Sequence, residues 1–324
     1  MIKYFDMFAG VGGFRAGLDR VRGYRCIGHC EIDKFARASY EAIHNIRKNE
    51  VNYADAKNID TKNVPDFNLL CARFPCQSFS LAGKREGLSD PRGTLFYEIA
   101  RLVQAKKPDY LLLENVPGLL SHDKGRTFAI ILDTLCELGY GAEWQVLDSK
   151  DFGVPQKRRR VYIVGYLDKR CAGRILPVPG NTEASAVCTE CGVAEPKNGI
   201  RINSNNSYKW AYPGDCISFA YASSKDRRAR VKHGLAYTLD THPSKAVLTE
   251  DGRIRKLTPK ECFRLQGFTD EQIDKILAIT SDSQAYKQSG NAVTVNVVEA
   301  IGRRISRVDK LLKGTIDAPI LTPE

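Results

Sequence analysis

The sequence predicts an α/β fold: a mostly parallel sheet with helices on both faces, joined by a smaller, irregular, β-rich region. Three observations carry this. Short apolar runs alternate with helix-length segments through the first half of the chain. Those runs are mostly apolar rather than apolar at every second residue, as strands covered on both faces are. From about Pro177 the pattern gives way to turn signals, among them Pro179-Gly180-Asn181, Asn203-Ser204-Asn205-Asn206 and Pro213-Gly214.

Taken in order, strands are expected at 2–8, 24–30, 67–71, 110–113, 141–147 and 161–166, with another short one at 51–54. Helices are expected between them at 12–22, 33–46, 94–106 and 127–138. In the irregular region, 235–239 and 245–249 read as short strands. A helix follows at 258–266, because Thr258 suits an N-cap and Pro259 the first helical position. The last helix is expected at 293–313. The chain of 324 residues is long enough for two domains. We expect residues 1–176 and 286–324 to form one and 177–285 the other.

The chain is 27% charged and 43% hydrophobic, a globular composition. Its apolar runs, such as 110–113, are far too short to cross a bilayer. The opening Met1-Ile2-Lys3-Tyr4-Phe5-Asp6 lacks a signal-peptide pattern, so a cytoplasmic location is expected. The ten cysteines are then expected to be reduced, with Cys26, Cys30, Cys71 and Cys136 acting as small buried hydrophobes. A formal charge of +11 points to a polyanionic partner. Between Lys169 and Arg253 there are 13 Lys/Arg against 8 Asp/Glu, with a basic knot running from Lys225 to Lys232.

Several motifs carry chemistry. Phe8-Ala9-Gly10-Val11-Gly12-Gly13 lies between the first strand and the first helix, where open parallel sheets bind nucleotides. Glu31 follows at the end of the second strand, the place of a ribose-binding carboxylate. The dinucleotide fingerprint needs glycine at position 15, where Arg15 stands, and no Gly-Lys-Ser/Thr follows. The loop therefore suits an adenosine ligand without a pyrophosphate; the alternative is a tight turn and nothing more. Asp55 is placed to reach an adenine amino group, or is simply a turn residue.

Phe74-Pro75-Cys76-Gln77 puts a thiol behind a proline at a strand end, with Gln77, Ser78 and Ser80 as possible donors. A lone cysteine there is more often structural, so its standing depends on partners. Glu114-Asn115-Val116 ends another apolar run. A carboxylate beside a buried strand is costly when ionised, which makes Glu114 a candidate proton donor; the alternative is a capped turn. In Gln156-Lys157-Arg158-Arg159-Arg160, alternation along a strand would set Arg158 and Arg160 on one face and Arg159 on the other. Residues 81–92 read as a mobile lid with basic side chains, or as an ordinary loop. Cys188-Thr189-Glu190-Cys191 has the spacing of half a zinc site, but no second such pair exists, so no metal is expected.

Together these motifs resemble the cytosine-5 DNA methyltransferases of the bacterial modification type, in family order over almost the whole chain. Arg255-Lys256-Leu257-Thr258-Pro259-Lys260-Glu261-Cys262 and Gln288-Ser289-Gly290-Asn291-Ala292-Val293 match two further family segments. The resemblance implies a Rossmann-like, S-adenosylmethionine-dependent methyltransferase fold with a target-recognition domain and hinge at 177–285. It implies Cys76 as nucleophile, with Glu114, Arg160, Arg158 and Gln77 around the base. Phe8, Ala9, Gly10, Gly12, Gly13, Glu31, Ile32, Asp55, Ala56, Pro75, Leu95, Asn291, Ala292 and Val293 would hold S-adenosylmethionine. Ser80, Lys84, Arg85, Arg92, Arg227, Arg228, Arg230, Thr238 and Leu239 would meet DNA, Thr238-Leu239 resembling the family's threonine dipeptide. The implied reaction is sequence-specific methylation of a flipped-out cytosine in double-stranded DNA by a monomer, with a cognate restriction endonuclease as companion.

One departure stands out: Arg73, two residues before Pro75, occupies a position where the family carries glycine. Its side chain would either crowd the methionine end of the cofactor or swing outward. Other readings left open are a transfer-RNA cytosine methyltransferase, a non-catalytic DNA-binding homologue and a Rossmann oxidoreductase.

Overall fold

The computed structural model describes residues 1–74, 95–179, 200–204, 207–219 and 230–315. The chain divides into two compact units. One comprises Met1–Leu147, Arg159–Pro179 and Val297–Glu324; the other comprises Asp148–Arg158 and Gly180–Asn296.

In chain order, the first unit holds β1 (Ile2–Met7), α1 (Gly13–Asp19), β2 (Tyr24–Cys30), α2 (Lys34–Ile43), β3 (Val51–Tyr53), β4 (Leu69–Arg73), α3 (Leu95–Lys106), β5 (Tyr110–Asn115), α4 (Arg126–Glu137) and β6 (Gly141–Asp148). After β7 (Gln156–Lys157), β8 (Arg159–Tyr166) completes a seven-stranded sheet of order β3-β2-β1-β4-β5-β8-β6. Strands β1 to β5 pair in parallel, and β8 runs antiparallel to β5. The expected α/β class and mostly parallel sheet are therefore what the chain forms.

The apolar runs are explained by burial. Tyr4, Phe5, Met7, Leu69, Leu70, Leu111, Leu112, Leu113, Ile163 and Val164 are all sealed from solvent. Cys26, Cys30 and Cys71 are buried among them, and burial pushes the Cys26 and Cys30 thiols up to about 12, where they are unreactive. Cys136 departs from the expectation: it lies on the exposed face of α4.

Arg15, the residue in place of a fingerprint glycine, is buried and structural. Its guanidinium donates to both Glu50 oxygens (2.7 and 3.2 Å) and to the Asn45 carbonyl, and it lies over the Tyr40 ring. It thereby ties α1 to the end of α2 and the approach to β3. Gly12 caps α1 at φ +82°, and an added Cβ would overlap the His44 ring and come within 2.7 Å of Tyr40 Cδ2. Gly12→Ala is therefore expected to destabilise the protein by about 1–3 kcal/mol, read as a lower thermal midpoint. An unchanged midpoint would show that the loop can relax.

The closing helix α8 (Val295–Leu312) returns to the first unit. Tyr24 Oη donates to the Gly302 carbonyl at 2.7 Å, and Arg304 Nε donates to the Ile175 carbonyl at 3.1 Å.

The second unit is the strand-rich one. It contains an antiparallel pair, β9 (Ile200–Ser204) with β10 (Ser207–Ala211). It also contains a four-stranded antiparallel sheet of order β12-β11-β14-β15, made of β11 (Cys216–Ser218), β12 (Arg230–Lys232), β14 (Lys245–Leu248) and β15 (Ile254–Lys256). The short β13 (Ala236–Tyr237) pairs in parallel with β7. Ile202, Ala211, Ile217, Val231, Ala246 and Leu248 form its core. The helix expected near 258 is α5 (Pro259–Arg264), with Thr258 and Glu261 forming a capping box. Two further helices, α6 (Asp270–Ile279) and α7 (Asp282–Asn291), are additions to the sequence reading. Their caps, Thr269 with Gln272 and Ser281, were the available signals. Among the described residues, no helix is long and apolar enough to cross a membrane.

Candidate active site

The order of the sheet locates a crevice. The chain leaves β1 toward β2 on one side and takes up β4 on the other, so connections diverge at the carboxyl ends of these strands. Phe8, Gly10 and Gly12 take positive φ values there (56°, 57° and 82°). Phe8 adopts this conformation despite the cost to a non-glycine residue, held by the Ala9 amide donating to the Cys30 carbonyl at 3.0 Å. Glu31, at the end of β2, accepts from Gly10 N with one oxygen and from Asp33 N with the other, both at 2.7 Å. The carboxylate thus fixes the glycine loop, with lone pairs left for a ligand hydroxyl.

Beside it Ile32 is 72% exposed, an apolar surface next to a polar one. Asp55 follows β3 and accepts from Lys57 N through Oδ1, capping a single helical turn that contains the buried Ala56. Arg101, which sequence reasoning missed, donates to the Ala56 and Ile59 carbonyls and holds that turn. Leu95 opens α3.

The reactive end is assembled by the next two strands. Pro75, Cys76, Gln77, Ser80, Lys84, Arg85 and Arg92 lie outside the described residues, as do Arg227, Arg228, Cys188 and Cys191. Phe74 is described and buried, and Asn115 Nδ2 donates to its carbonyl at 2.8 Å. Asn115 therefore anchors the chain two residues before Cys76.

Glu114, 1% exposed, stands in register with Arg73 of β4 and Tyr162 of β8. Arg160 Nε lies 3.1 Å from Glu114 Oε1, and Arg73 Nε lies 3.3 Å from Oε2. Burial pulls the Arg160 guanidinium below its usual range; Glu114 opposes that fall and Arg73 adds to it. Neither Glu114 Oε1 nor Arg160 Nε has a hydrogen bond among the described residues, although both are buried. They face each other as a close ion pair, with capacity left for a planar, hydrogen-bonding partner.

Arg158 is a correction. It does not share a strand face with Arg160: it lies between β7 and β8, in the second unit, and is fully buried. Its guanidinium donates to the carbonyls of Gly290 (3.0 Å), Ala292 (2.9 Å) and Leu239 (3.4 Å). A side chain spent on backbone carbonyls inside a packed unit is a structural tie. The same bonds fix Ala292 beside Asn291 and Val293, with Gln266 Nε2 donating to the Ser289 carbonyl at 2.8 Å.

Leu239 is a second correction. It packs in an apolar cluster with Leu257 and Cys262, which removes its side chain from DNA reading. Thr238 is half-buried, its hydroxyl donating to the Lys157 carbonyl at 2.6 Å. Arg230 is exposed on β12, over the ring of Tyr237. Among the described residues no His, Cys, Asp and Glu group could hold a metal ion.

A sequence model of the C-5 cytosine-specific DNA methylases matches residues 2–190 and 189–307, nearly the whole chain. The chain belongs to this family. Among its relatives in the C-5 cytosine-specific DNA methylases, Type II methyltransferase M.NlaX of Neisseria lactamica is 37% identical, covering 94% of this chain and 96% of its own. Type II methyltransferase M.HhaI of Haemophilus parahaemolyticus is 34% identical, covering 94% of each. The Dnmt2 methyltransferase of S. pombe superposes with a TM-score of 0.61 at 19% identity, covering 95% of this chain and all of that one, and so shares the fold. This C-5 cytosine-specific DNA methylase is thus a methyltransferase, and membership implies S-adenosylmethionine as methyl donor. The residues present fit that cofactor: an open turn at Gly10 where no atom of the described residues stands within 4 Å of an added Cβ, a carboxylate at Glu31, and an exposed apolar side chain at Ile32 for a ring.

Proposed function

We propose that this enzyme methylates carbon 5 of a cytosine flipped out of double-stranded DNA at a specific sequence, with Cys76 as a covalent nucleophile. The observation that carries the reading is the Glu114 carboxylate, buried between Arg73 and Arg160. It stands on the strand whose next residue, Asn115, anchors the approach to Cys76.

Cytosine carbon 5 is a poor nucleophile until carbon 6 is attacked. The Cys76 thiolate bonds to carbon 6, and the ring electrons move toward nitrogen 3 and oxygen 2. Glu114 donates a proton to nitrogen 3 through one oxygen and accepts from the amino group with the other, and Arg160 donates to oxygen 2, so both groups meet the charge that develops. Bound S-adenosylmethionine supplies an electrophilic methyl group to carbon 5. The carbon-5 proton then passes to water, and the electron pair it leaves expels the thiolate as nitrogen 3 returns its proton to Glu114, leaving 5-methylcytosine, S-adenosylhomocysteine and free Cys76. A stacked base cannot be reached this way, so it must leave the duplex at a cost of a few kcal/mol.

In this reading Phe8, Ala9, Gly10, Gly12, Gly13, Glu31, Ile32, Asp55, Ala56, Pro75, Leu95, Asn291, Ala292 and Val293 hold the cofactor, and Gln77 supports the base. Ser80, Lys84, Arg85, Arg92, Arg227, Arg228, Arg230 and Thr238 meet DNA. The strand-rich unit is the target-recognition domain, the protein acts as a cytoplasmic monomer, and a restriction endonuclease is its companion.

The test is transfer of labelled methyl to duplex DNA, together with capture on DNA carrying 5-fluorocytosine. Fluorine cannot leave as a proton does, so a denaturation-resistant adduct is expected. Label in RNA alone, or turnover on cytosine without an adduct on the fluoro-substrate, would overturn the reading. Phosphate contacts also predict a DNA affinity falling by about two to five orders of magnitude between 50 and 200 mM salt. Titration by fluorescence anisotropy checks this, and a flat response would remove the basic DNA-binding surface from the proposal.

Replacing Glu31 with alanine removes the acceptor for the Gly10 and Asp33 amides. It is expected to weaken S-adenosylmethionine binding by about ten- to a hundredfold, since charge-assisted hydrogen bonds are each worth about 1.5–3 kcal/mol. Calorimetry measures it; affinity within twofold of the parent would exclude Glu31 from the cofactor site.

A further inference from the structure

We propose that Arg73 is a positioning residue for Glu114, an assignment that rests on the reading of Glu114 as the group facing the target cytosine. The geometry follows from the sheet. Strands β4 and β5 are parallel neighbours with Arg73 directly opposite Glu114, so their side chains leave on the same face. From the other side β8 delivers Arg160. Each carboxylate oxygen thus has its own cation: Arg73 Nε at 3.3 Å from Oε2 and Arg160 Nε at 3.1 Å from Oε1.

This arrangement does two things. It orients the carboxylate. The terminal torsion of a glutamate is broad and nearly two-fold, so one contact leaves the plane free to turn. Contacts on both oxygens hold it, and a planar base needs its hydrogen-bonding partner in plane. It also sets the local charge. Two guanidinium groups on one carboxylate leave a surplus positive charge where thiolate addition pushes negative charge into the ring. Arg73 is 31% exposed while Glu114 is 1% exposed. The arginine therefore keeps part of its hydration, and the carboxylate depends on its partners. With glycine at this position Arg160 would be the sole cation facing the carboxylate from the two flanking strands.

The test uses the full chain with duplex DNA and S-adenosylmethionine, both saturating, in single turnover. Arg73→Ala is expected to slow methyl transfer by about ten- to a hundredfold, with dissociation constants for cofactor and DNA within threefold of the parent. Arg73→Lys is expected to recover part of the rate, because a point charge replaces a fork. A parental single-turnover rate in Arg73→Ala would overturn the assignment. So would a loss of cofactor affinity with the chemical step intact, which would make Arg73 part of the cofactor pocket. Should Arg73→Ala fail to fold, Arg73→Gln is judged by the same criteria. Glu114→Gln separates the two layers: turnover at the parental rate overturns the reading of Glu114, whereas an inactive Glu114→Gln beside an unaffected Arg73→Ala overturns the role of Arg73 alone.

Discussion

Cys76→Ala is expected to lower methyl transfer by about four orders of magnitude or more, while S-adenosylmethionine still binds within threefold of the parent affinity. In the proposed mechanism no bond forms to carbon 6 without the sulfur, and carbon 5 keeps the low reactivity of an aromatic cytosine. Loss of a covalent nucleophile typically costs about 10⁴–10⁶ in rate, and 10⁴ corresponds to about 5.5 kcal/mol of transition-state stabilisation. Single-turnover assays with labelled cofactor measure the loss, and calorimetry measures the retained binding. Turnover within a hundredfold of the parent would dismiss Cys76 as nucleophile. Cofactor binding lost together with activity would point to a folding defect instead. Arg73→Ala serves as a contrast: it is expected to slow adduct formation on 5-fluorocytosine DNA without abolishing it, whereas Cys76→Ala abolishes it.

Arg158→Ala is expected to destabilise the strand-rich unit by about 3–5 kcal/mol. The buried guanidinium donates to three backbone carbonyls, on Leu239, Gly290 and Ala292. Its removal opens a cavity and leaves those acceptors without a donor they had, at about 1–3 kcal/mol each. Arg158→Met, which fills the volume but cannot donate, is expected to recover only the packing part. Lysine is a poor substitute, since one ammonium cannot span acceptors spaced for a planar fork. Chemical denaturation with a probe in the strand-rich unit measures the change, and a shift below about 1 kcal/mol would show that water replaces the guanidinium. The expected activity loss in Arg158→Ala then follows from displacement of Asn291, Ala292 and Val293, and it should be smaller in Arg158→Met.

The contrast between Arg158 and Arg160 shows where sequence reasoning held and where it failed. Strand alternation gave them one face because it assumed one continuous strand from 156 to 160. The chain instead breaks at 158: Gln156 and Lys157 pair with β13, and Arg159 begins the strand beside β5. No local pattern records that break, because it depends on partners 80 residues away on one side and 46 or more on the other. Leu239 misled for the same reason, since its burial is set by Leu257 and Cys262. Arg73 was read only against the cofactor, because nothing near it in sequence reveals that Glu114 lies across the sheet. Local signals fared well where the physics is local. The Thr258–Glu261 capping box and the Asp33 cap of α2 sit where side-chain oxygens meet free amides.

The amino-acid sequence by itself determined the α/β class, the strands of the central sheet, the glycine turn after β1 and the family, because apolar runs, caps and turn residues act over a few neighbouring positions. Only the tertiary structure decided that Glu114 lies between two guanidinium groups, that Arg158 serves carbonyls rather than chemistry, and that Arg15 is a buried tie. Those outcomes depend on strand register and on which distant side chain fills the space beside a buried charge. A buried charge must be compensated by whatever the fold brings within a few ångströms.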